Sequence, residues 1–146
     1  MKKIYFAGPW FSAEQDERHN RIYELIKRLN KFDIFNPKLS SNITNQQDCD
    51  LFSIILKTNI DNIVDADLIV AITDGKDMGT IWETGFAYAN KKPIVYYCET
   101  IGTKPFNLML AKTGLTAKSE NELIDILQRD NIFNWQESYT YQGVIE

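Results

Sequence analysis

Two carboxylates stand six residues apart in the segment "DMGTIWETGFAYANKKP", which begins at Asp77 and includes Glu83. The segment comes soon after a long apolar run, and its composition predicts a helix that opens at Gly79 and Thr80. The amino terminus of a helix carries a partial positive charge, so we expect Glu83 to stay ionised there and to be able to act as a nucleophile. A solvated first-turn acid is the alternative for any single glutamate.

The composition restricts both the class of protein and the class of ligand. A chain of 146 residues with 44% hydrophobic content suits a single domain, residues 1–146, with a sizeable core. It contains no uninterrupted apolar run of about 18 residues, so we expect no membrane span. The net charge of −4, without a basic cluster, argues against a nucleic-acid partner, because phosphate neutralisation needs grouped Lys and Arg. Small molecules are the expected ligands.

The cysteine and histidine content argues against several chemistries. Cys49 and Cys98 are far apart and form no CxxC pattern, which predicts neither a disulfide framework nor a zinc site. The start "MKKIYFAGPWF" predicts a buried strand rather than a secretory signal, so we expect a cytoplasmic protein. The single histidine, His19, argues against a Ser-His-Asp relay, and its polar surroundings predict a surface or half-buried position on a helix. Carboxylates therefore have to carry any catalysis.

Apolar runs alternate with amphipathic stretches along the chain. The predicted elements are, in order, the strand "KIYFAG", a helix over 13–30, the strand "FDIFNP", a helix over about 48–64, the strand "ADLIVAIT", the helix described above, the strand "PIVYYCE", a short helix in "PFNLMLAKTG", a weak strand in "GLTAKS" and a helix over 119–129. This alternation predicts a doubly wound α/β domain, flavodoxin-like or Rossmann-like, with a parallel sheet of about five strands and helices on both faces. Ser12 and Gln15 form a capping box before the first helix. The polar loop "KLSSNITNQQ" is either a substrate lid or a plain connection.

The carboxyl ends of parallel strands meet at one edge of the sheet, and ligands bind there. We expect this edge to bring Asp77 and Glu83 beside Tyr5 of the first strand, with aromatic walls from Trp10 and Phe11. Paired carboxylates between aromatic surfaces suit the cleavage of a glycosidic bond, in which one carboxylate attacks the sugar carbon and another group handles the leaving group. These residues therefore predict chemistry on a glycoside.

Five segments, in order and at matching spacing, carry a resemblance to a known family. They are "IYFAGPWFS", "NIVDADLIVAI", "DMGTIWETGFAYANKKP", "KPFNLMLA" and "FNWQESYTYQGVIE". They cover nearly the whole chain and resemble the nucleoside 2-deoxyribosyltransferases, which move a 2-deoxyribosyl group from one nucleobase to another. The resemblance implies deoxyribonucleosides and free nucleobases as substrates. No metal or organic cofactor is expected, since two carboxylates and a stacked base supply the electrostatics that the reaction needs.

The resemblance also implies roles for single residues. Glu83 matches the nucleophile that forms a covalent deoxyribosyl intermediate, Tyr5 looks like the residue whose hydroxyl holds that carboxylate, and Asp77 matches an acid that handles the base. Asn107 and Met109 resemble residues lent across a subunit interface to bind the neighbour's sugar, which implies a homo-oligomer, a dimer that builds to tetramers or hexamers. The main chain of Glu146 offers a terminal carboxylate to the site. The candidate substrate-binding residues are thus Trp10, Phe11, Asn59, Gly79, Asn107, Met109 and Glu146.

One position departs from the pattern of the family. Where the family usually has an aspartate that faces the base, this chain has Asn59, with Asp61 two residues on. The predicted apolar face of this helix consists of Phe52, Ile55, Leu56, Ile60 and Ile63. Asn59 shares that face, whereas Asp61 points about 200° away, so we expect Asn59 to face the sheet. An amide is no proton donor at neutral pH, and the acid role falls to Asp77 or to water.

Two other functions stay open at this stage. The first is a hydrolase of the same superfamily, a 2-deoxynucleoside 5′-monophosphate N-glycosidase, in which water accepts the sugar. A phosphate site needs basic or hydroxyl side chains, and the segment "DGKDMGT" offers only Lys76 and Thr80. Asp77 in the same segment would repel the phosphate. The second is a non-catalytic nucleotide sensor that uses the same crevice and binds without turnover.

Overall fold

The computed structural model describes residues 1–40, 49–134 and 141–146. The strands are β1 (Lys2–Ala7), β2 (Phe32–Phe35), β3 (Leu68–Ile72), β4 (Ile94–Tyr97) and β5 (Leu115–Ala117). The helices are α1 (Ala13–Arg28), α2 (Pro37–Ser40), α3 (Cys49–Asp65), α4 (Met78–Ala89), α5 (Leu108–Ala111) and α6 (Glu120–Leu127), followed by a 3₁₀ helix over Asp130–Phe133. All strands are parallel, in the order β2-β1-β3-β4-β5. The predicted doubly wound α/β architecture is confirmed, with the flavodoxin-like strand order.

The direction of winding reverses at β1, which lies between β2 and β3 in the sheet. Ile4 of β1 is opposite Ile34 on one side and opposite Leu68 on the other. In open α/β sheets, the crevice for a ligand forms at such a switch point, outside the carboxyl ends of the strands. The loops that follow β1, β3 and β4 are therefore the expected place of a binding site.

Alternate side chains of the strands pack against helices on opposite faces of the sheet. One face is covered by α1 and α6, whose Ile22 and Leu123 join a buried cluster with Phe6 of β1. The other is covered by α3, α4 and α5, and its buried cluster contains Tyr5 of β1 and Ile63 of α3. Because both faces are buried, the central strand β3 is apolar throughout. Tyr5 and Phe6 are adjacent in β1 and therefore point to opposite faces of the sheet; Tyr5 points to the face covered by α4.

Local capping determines where two helices begin. Ser12 Oγ accepts the N–H of Gln15 and Gln15 Oε1 accepts the N–H of Ser12, both at 3.2 Å, so the predicted capping box is confirmed. Ser119 begins α6 at the predicted place. Helix α2 was not predicted, since the sequence indicates a polar loop from residue 38 onward. The rest of that loop, residues 41–48, lies outside the described residues, and so does any lid that it forms.

The apolar face predicted for α3 is buried only near the end of the helix. Ile63 is fully buried, whereas Phe52 and Leu56 keep 41% and 53% of their surface exposed. Ile63 and Ala66 pack against the sheet, in a buried cluster that also contains Tyr5. Ala66 lies just beyond the end of the helix. The predicted apolar face of α3 is therefore largely exposed in the first half of the helix.

Within residues 1–40, 49–134 and 141–146, no helix combines the length and the hydropathy of a membrane span. The same ranges contain no group of three or more His, Cys, Asp or Glu side chains placed to hold a metal ion. Cys98 is buried and free.

The contact between β4 and β5 gives a first prediction, which concerns Gly114. A Cβ at this position would lie 2.5 Å from the Ile94 carbonyl oxygen and 2.7 Å from the Tyr96 ring. We expect Gly114→Ala to lower the free energy of unfolding by about 2 kcal/mol in urea denaturation, because the strands cannot both keep their places. In the control Gly85→Ala, the new methyl group meets nothing within 4 Å, and the higher helix propensity of Ala should stabilise the chain slightly. Equal stability of the two variants would contradict this account.

Candidate active site

Glu83 of α4 and Tyr5 of β1 form the centre of the candidate site. The Tyr5 hydroxyl donates a hydrogen bond to Oε2 of Glu83. Tyr5 is completely buried, and its ring stacks on Phe35 of β2 at a centroid distance of 5.5 Å. Packing therefore orients the phenol before any ligand arrives, and the two predicted residues are brought together.

Burial controls the protonation of this pair. It raises the pKa of Glu83 to about 7, the hydrogen bond from Tyr5 lowers this pKa in part, and the charge of Asp77 raises it further. The sequence predicts that Glu83 stays ionised, whereas burial leaves it only partly ionised at neutral pH. Burial and the charge of Glu83 also raise the pKa of Tyr5 far above neutrality. Tyr5 is therefore a hydrogen-bond donor at every physiological pH.

Asp77 caps the amino terminus of α4. Its Oδ2 accepts two hydrogen bonds from Thr80, one from the backbone N–H at 2.8 Å and one from Oγ1 at 2.9 Å. The helix begins at Met78, one residue before the predicted opening. Because Asp77 is the cap, its carboxylate is held at the positive end of the helix that carries Glu83.

The turn that precedes α4 does not involve Gly79. Gly79 lies in the first turn of α4, and the backbone instead reverses at Gly75 and Lys76, whose φ angles are +80° and +55°. Lys76 thus adopts a left-handed conformation that few residues other than Gly tolerate. The glycine that the turn requires is Gly75, whereas a Cβ at Gly79 would lie 3.3 Å from Oδ2 of Asp77.

Trp10 and Phe11 follow the end of β1. Their ring centroids are 5.1 Å apart, and Phe11 is 73% exposed. Trp10 packs edge to face on His19 at 5.5 Å. His19 is fully buried rather than at the surface, and its Nε2 is 3.0 Å from Oδ1 of Asn36. The aromatic pair is therefore at the predicted edge of the sheet, supported by α1.

Asn107, Met109 and Glu146 line a common cavity of 610 Å³ between the loops after β3 and β4. Asn107 caps α5, since its Oδ1 accepts the Met109 N–H at 2.9 Å. The backbone of Glu146 pairs with that of Phe106, and a Glu146 oxygen accepts the N–H of Leu108 at 2.7 Å. Three of the predicted substrate-binding residues are thus close to one another.

Helix α4 lies between this cavity and the Tyr5–Glu83 pair. Ile81 lines the cavity, and Glu83 follows it by two residues, about 200° around the helix. Glu83 faces β1, whereas the cavity faces the loop after β4 and α5. The predicted site residues therefore form two groups on different sides of one helix.

The predicted orientation of α3 agrees with the exposure of its polar residues. Asn59 is partly buried one turn before Ile63, which is fully buried. Asp61 is exposed and pairs with Lys57. Asn59 therefore faces inward, and no described contact joins it to Glu83.

Sequence reasoning missed a charged network at the ends of β3 and β4. Glu99 accepts hydrogen bonds from Arg18 at 2.8 Å, from Arg21 at 2.8 Å and from the Tyr97 hydroxyl at 2.6 Å. Burial raises the pKa of Glu99, but these hydrogen bonds outweigh burial and bring it down to about 2. Asp74, 1% exposed, lies 4.0 Å from Arg18. The three-residue spacing of Arg18 and Arg21 puts both arginines on one face of α1, which could have indicated a shared acidic partner. That partner, Glu99, follows β4 and is far away in the sequence.

The burial of Glu83 predicts a stability gain when its charge is removed. Its pKa rises from 4.5 to about 7 on folding, so the ionised form destabilises the fold above pH 7, and this penalty disappears as the pH falls below 4.5. We expect Glu83→Gln to raise the free energy of unfolding in urea by roughly 1 to 3 kcal/mol at pH 8 and to change it little at pH 4.5. The exposed Glu24→Gln is the control and should give no such pH dependence. The same gain at both pH values would refute the desolvation argument.

The fold is similar to solved structures of known enzymes. A 2-deoxyribosyltransferase from Bacillus psychrosaccharolyticus has a TM-score of 0.77 at 23% identity, covering 94% of this chain and 99% of that one. A 2-deoxyribosyltransferase from Leishmania mexicana has a TM-score of 0.68 at 23% identity, covering 89% and 99%. A CMP N-glycosidase from Clostridium botulinum has a TM-score of 0.56 at 20% identity, covering 86% and 98%. At these identities the likeness establishes the fold alone.

A comparison with curated protein sequences gave no match. The family model described as nucleoside 2-deoxyribosyltransferase, however, matches residues 4–125. This range contains Tyr5, Asp77 and Glu83, together with most of the five sequence segments that carry the resemblance. The chain belongs to the nucleoside 2-deoxyribosyltransferase family.

Proposed function

We propose that the protein exchanges nucleobases on 2′-deoxyribonucleosides, as a nucleoside 2-deoxyribosyltransferase with a ping-pong mechanism. The observation that carries this proposal is the hydrogen bond from the Tyr5 hydroxyl to the buried carboxylate of Glu83. With a pKa of about 7, Glu83 is partly ionised at neutral pH, and burial leaves it poorly hydrated, which favours attack on a sugar carbon. Membership of the family supports the same class of substrate.

The two carboxylate oxygens of Glu83 have different tasks in this reaction. Oε2 accepts the Tyr5 hydroxyl, so Oε1 attacks C1′ of the deoxyribose. The bond between C1′ and the base nitrogen breaks, its electron pair leaves with the base, and a glycosyl ester on Glu83 remains. A nitrogen of the second base then attacks C1′, and the carboxylate leaves with its charge stabilised by the same hydrogen bond.

The other candidates bind the substrate or move a proton. Trp10 and Phe11 offer ring faces to the nucleobase, and Asn59 offers an amide to its hydrogen-bonding edge. The departing base receives its proton either from Asp77 in its protonated form or from water. Gly79, in the first turn of α4, is assigned to substrate binding beside Asp77. The scheme uses no metal ion and no organic cofactor.

A second candidate function is hydrolysis of a 5′-phosphorylated nucleoside, with water as the acceptor. Lys76 and Lys104 line the same cavity as Asn107, which provides two cations where the sequence near the turn suggests only one. The likeness to a CMP N-glycosidase is compatible with this reaction. We favour the transferase, because the acidic residues Asp74 and Glu146 also line the cavity and repel a phosphate.

We further infer that each site is completed by a second copy of the chain. Helix α4 separates Glu83 from Asn107 and Met109, so both groups reach one substrate only if they come from two copies. The outer face of α4 supports self-association, since Met78 and Trp82 keep 86% and 53% of their surface exposed. The number of copies in the assembly is left to measurement.

Replacement of the nucleophile tests the proposed reaction. We expect the parent protein to transfer the deoxyribosyl group of thymidine to adenine. Glu83→Ala should lose at least 10³-fold in the rate of this transfer, because no ester forms. Mass spectrometry of the parent, quenched with thymidine, should show one added deoxyribosyl group on Glu83. Exchange at full rate in Glu83→Ala would remove the covalent route. Base release without exchange would identify the hydrolase, and neither reaction in the parent would leave a nucleotide sensor.

Mixing two inactive variants tests the shared site. Glu83→Ala lacks the nucleophile, and Asn107→Asp keeps the cap of α5 but loses the amide that binds the sugar. After subunits exchange, a mixed assembly contains one site with both wild-type residues, so we expect base exchange far above that of either variant alone. Activity that stays at the level of the separate variants would show that Asn107 and Glu83 do not share a site between copies.

A further inference from the structure

His19 of α1 is the only histidine of the chain, and the proposed reaction makes no use of it. The residue is completely buried. Its imidazole packs edge to face on two aromatic rings, that of Phe6 in β1 at a centroid distance of 4.8 Å and that of Trp10 at 5.5 Å. His19 therefore joins the hydrophobic core, to which Phe6 belongs, to the aromatic residue that the proposed function assigns to the nucleobase.

The hydrogen bonds of Asn36 determine which nitrogen of His19 carries a proton. Oδ1 of Asn36 lies 3.0 Å from the backbone nitrogen of Lys38 and 3.0 Å from Nε2 of His19. A backbone N–H only donates, so the Asn36 atom at this point is the amide oxygen, and Nε2 of His19 must donate to it. Burial lowers the pKa of His19, so the ring is neutral at neutral pH and Nδ1 carries no proton. Nδ1 has no hydrogen-bond partner among the described residues, which leaves the bond to Asn36 as the polar contact that fixes the plane of the ring.

Trp10 packs against one immobile neighbour and one mobile neighbour. The ring contacts described for Trp10 are with His19 and with Phe11, whose ring centroid is 5.1 Å away. Phe11 is 73% exposed, and an exposed side chain changes rotamer within nanoseconds. His19 cannot move in this way, because it is buried and bound to Asn36, which is itself buried. The orientation of the Trp10 ring therefore depends on His19.

We propose that His19 is a positioning residue for nucleobase binding, because it holds the Trp10 ring on which the base stacks. This inference rests on the proposed function, in which Trp10 offers a ring face to the base. An indole held in one orientation loses little freedom when a base arrives, and such preorganisation raises the affinity. His19 packs on Phe6, which belongs to the buried cluster on one face of the sheet, whereas Tyr5 belongs to the cluster on the other face. Loss of the His19 ring should therefore weaken base binding and leave the Tyr5–Glu83 pair in place.

A double-mutant cycle with free adenine tests whether His19 acts through Trp10. The Kd of adenine is measured by isothermal titration calorimetry for the parent, His19→Gln, Trp10→Ala and the double variant. Gln keeps a donor for Asn36 but has no ring, so we expect His19→Gln to raise the Kd by roughly three- to tenfold. Trp10→Ala should raise it by roughly tenfold or more, because the stacking surface is lost. The double variant should bind no more weakly than Trp10→Ala, whereas losses that multiply would overturn the proposal.

Two further variants separate the ring contact from a general effect on folding. His19→Phe restores a ring and should bring the Kd of adenine to within about threefold of the parent. Ile22→Val removes one methylene group from the buried core on the same helix, and it should lower the stability slightly without changing the Kd. If His19→Gln does not fold, His19→Leu, which is apolar but has no ring, takes its place. A Kd for His19→Phe as high as that of the variant without a ring would overturn the proposal.

The motion of Trp10 provides a readout that a loss of stability does not imitate. Trp82→Phe and Trp135→Phe leave Trp10 as the only tryptophan of the chain. In this background, time-resolved fluorescence anisotropy should show faster local motion of Trp10 after His19→Gln, and Ile22→Val should leave that motion unchanged. An unchanged anisotropy in His19→Gln would show that His19 does not hold the indole ring.

Failure of this inference and failure of the proposed function give different results. If Trp10→Ala or His19→Gln binds adenine as tightly as the parent, the positioning role is overturned, and base exchange in the parent leaves the proposed reaction intact. If both variants lose adenine binding as expected but the parent exchanges no bases, the positioning role stands and the transferase proposal fails. In an active parent, His19→Gln should raise the KM for adenine and keep kcat within about twofold, and the reverse pattern would contradict a role in base binding. A parent that binds no adenine overturns both proposals.

Discussion

The hydrogen bond between Tyr5 and Glu83 is the interaction on which the site depends. It joins a central strand to the first helix after the neighbouring strand, so it exists only when the switch point of the sheet is formed. Burial makes the carboxylate costly to ionise, and Tyr5 offsets part of this cost while it remains protonated. The fold thus keeps the Glu83 carboxylate near the midpoint of its titration at neutral pH, at some expense of stability.

Helix α4 presents four different surfaces around its axis. Thr80, Thr84 and Ala87 are buried against the sheet, Glu83 meets Tyr5 on one flank, and Ile81 contributes to a cavity on the other. The remaining side of the helix carries exposed apolar residues such as Met78 and Trp82. Glu83 is the only charged residue of α4. A helix on the surface of a monomer usually has a charged or polar outer face, so the apolar outer face of α4 suits contact with a second copy of the chain.

A second layer of polar contacts keeps the strand ends in place around the site. Asp77 is fixed by Thr80, and Asp74 accepts the backbone N–H of Thr100 at 2.8 Å, which connects the loops after β3 and β4. Glu99 accepts hydrogen bonds from Arg18 and Arg21 of α1 and from Tyr97 of β4. Of these acids Asp74 is buried, and a buried charge is costly unless it is paired; Thr100 and Arg18, from other elements, meet this need. The loops that bind substrate in the proposed function are therefore rigid at their bases.

The sequence by itself determined the order and type of the main elements, the parallel sheet, the family and the identity of Glu83 and Tyr5 as a pair, because apolar periodicity and short motifs are local properties of the chain. It could not determine the pKa of Glu83, which depends on desolvation by distant residues, or the burial of His19. The half-exposed face of α3 and the Arg18–Glu99 network were equally out of reach, since they depend on which elements meet. Nor did spacing along the chain reveal that α4 separates Asn107 and Met109 from Glu83. Only the tertiary structure decided these points, because dielectric environment and the relative orientation of side chains arise when residues far apart in sequence are packed together.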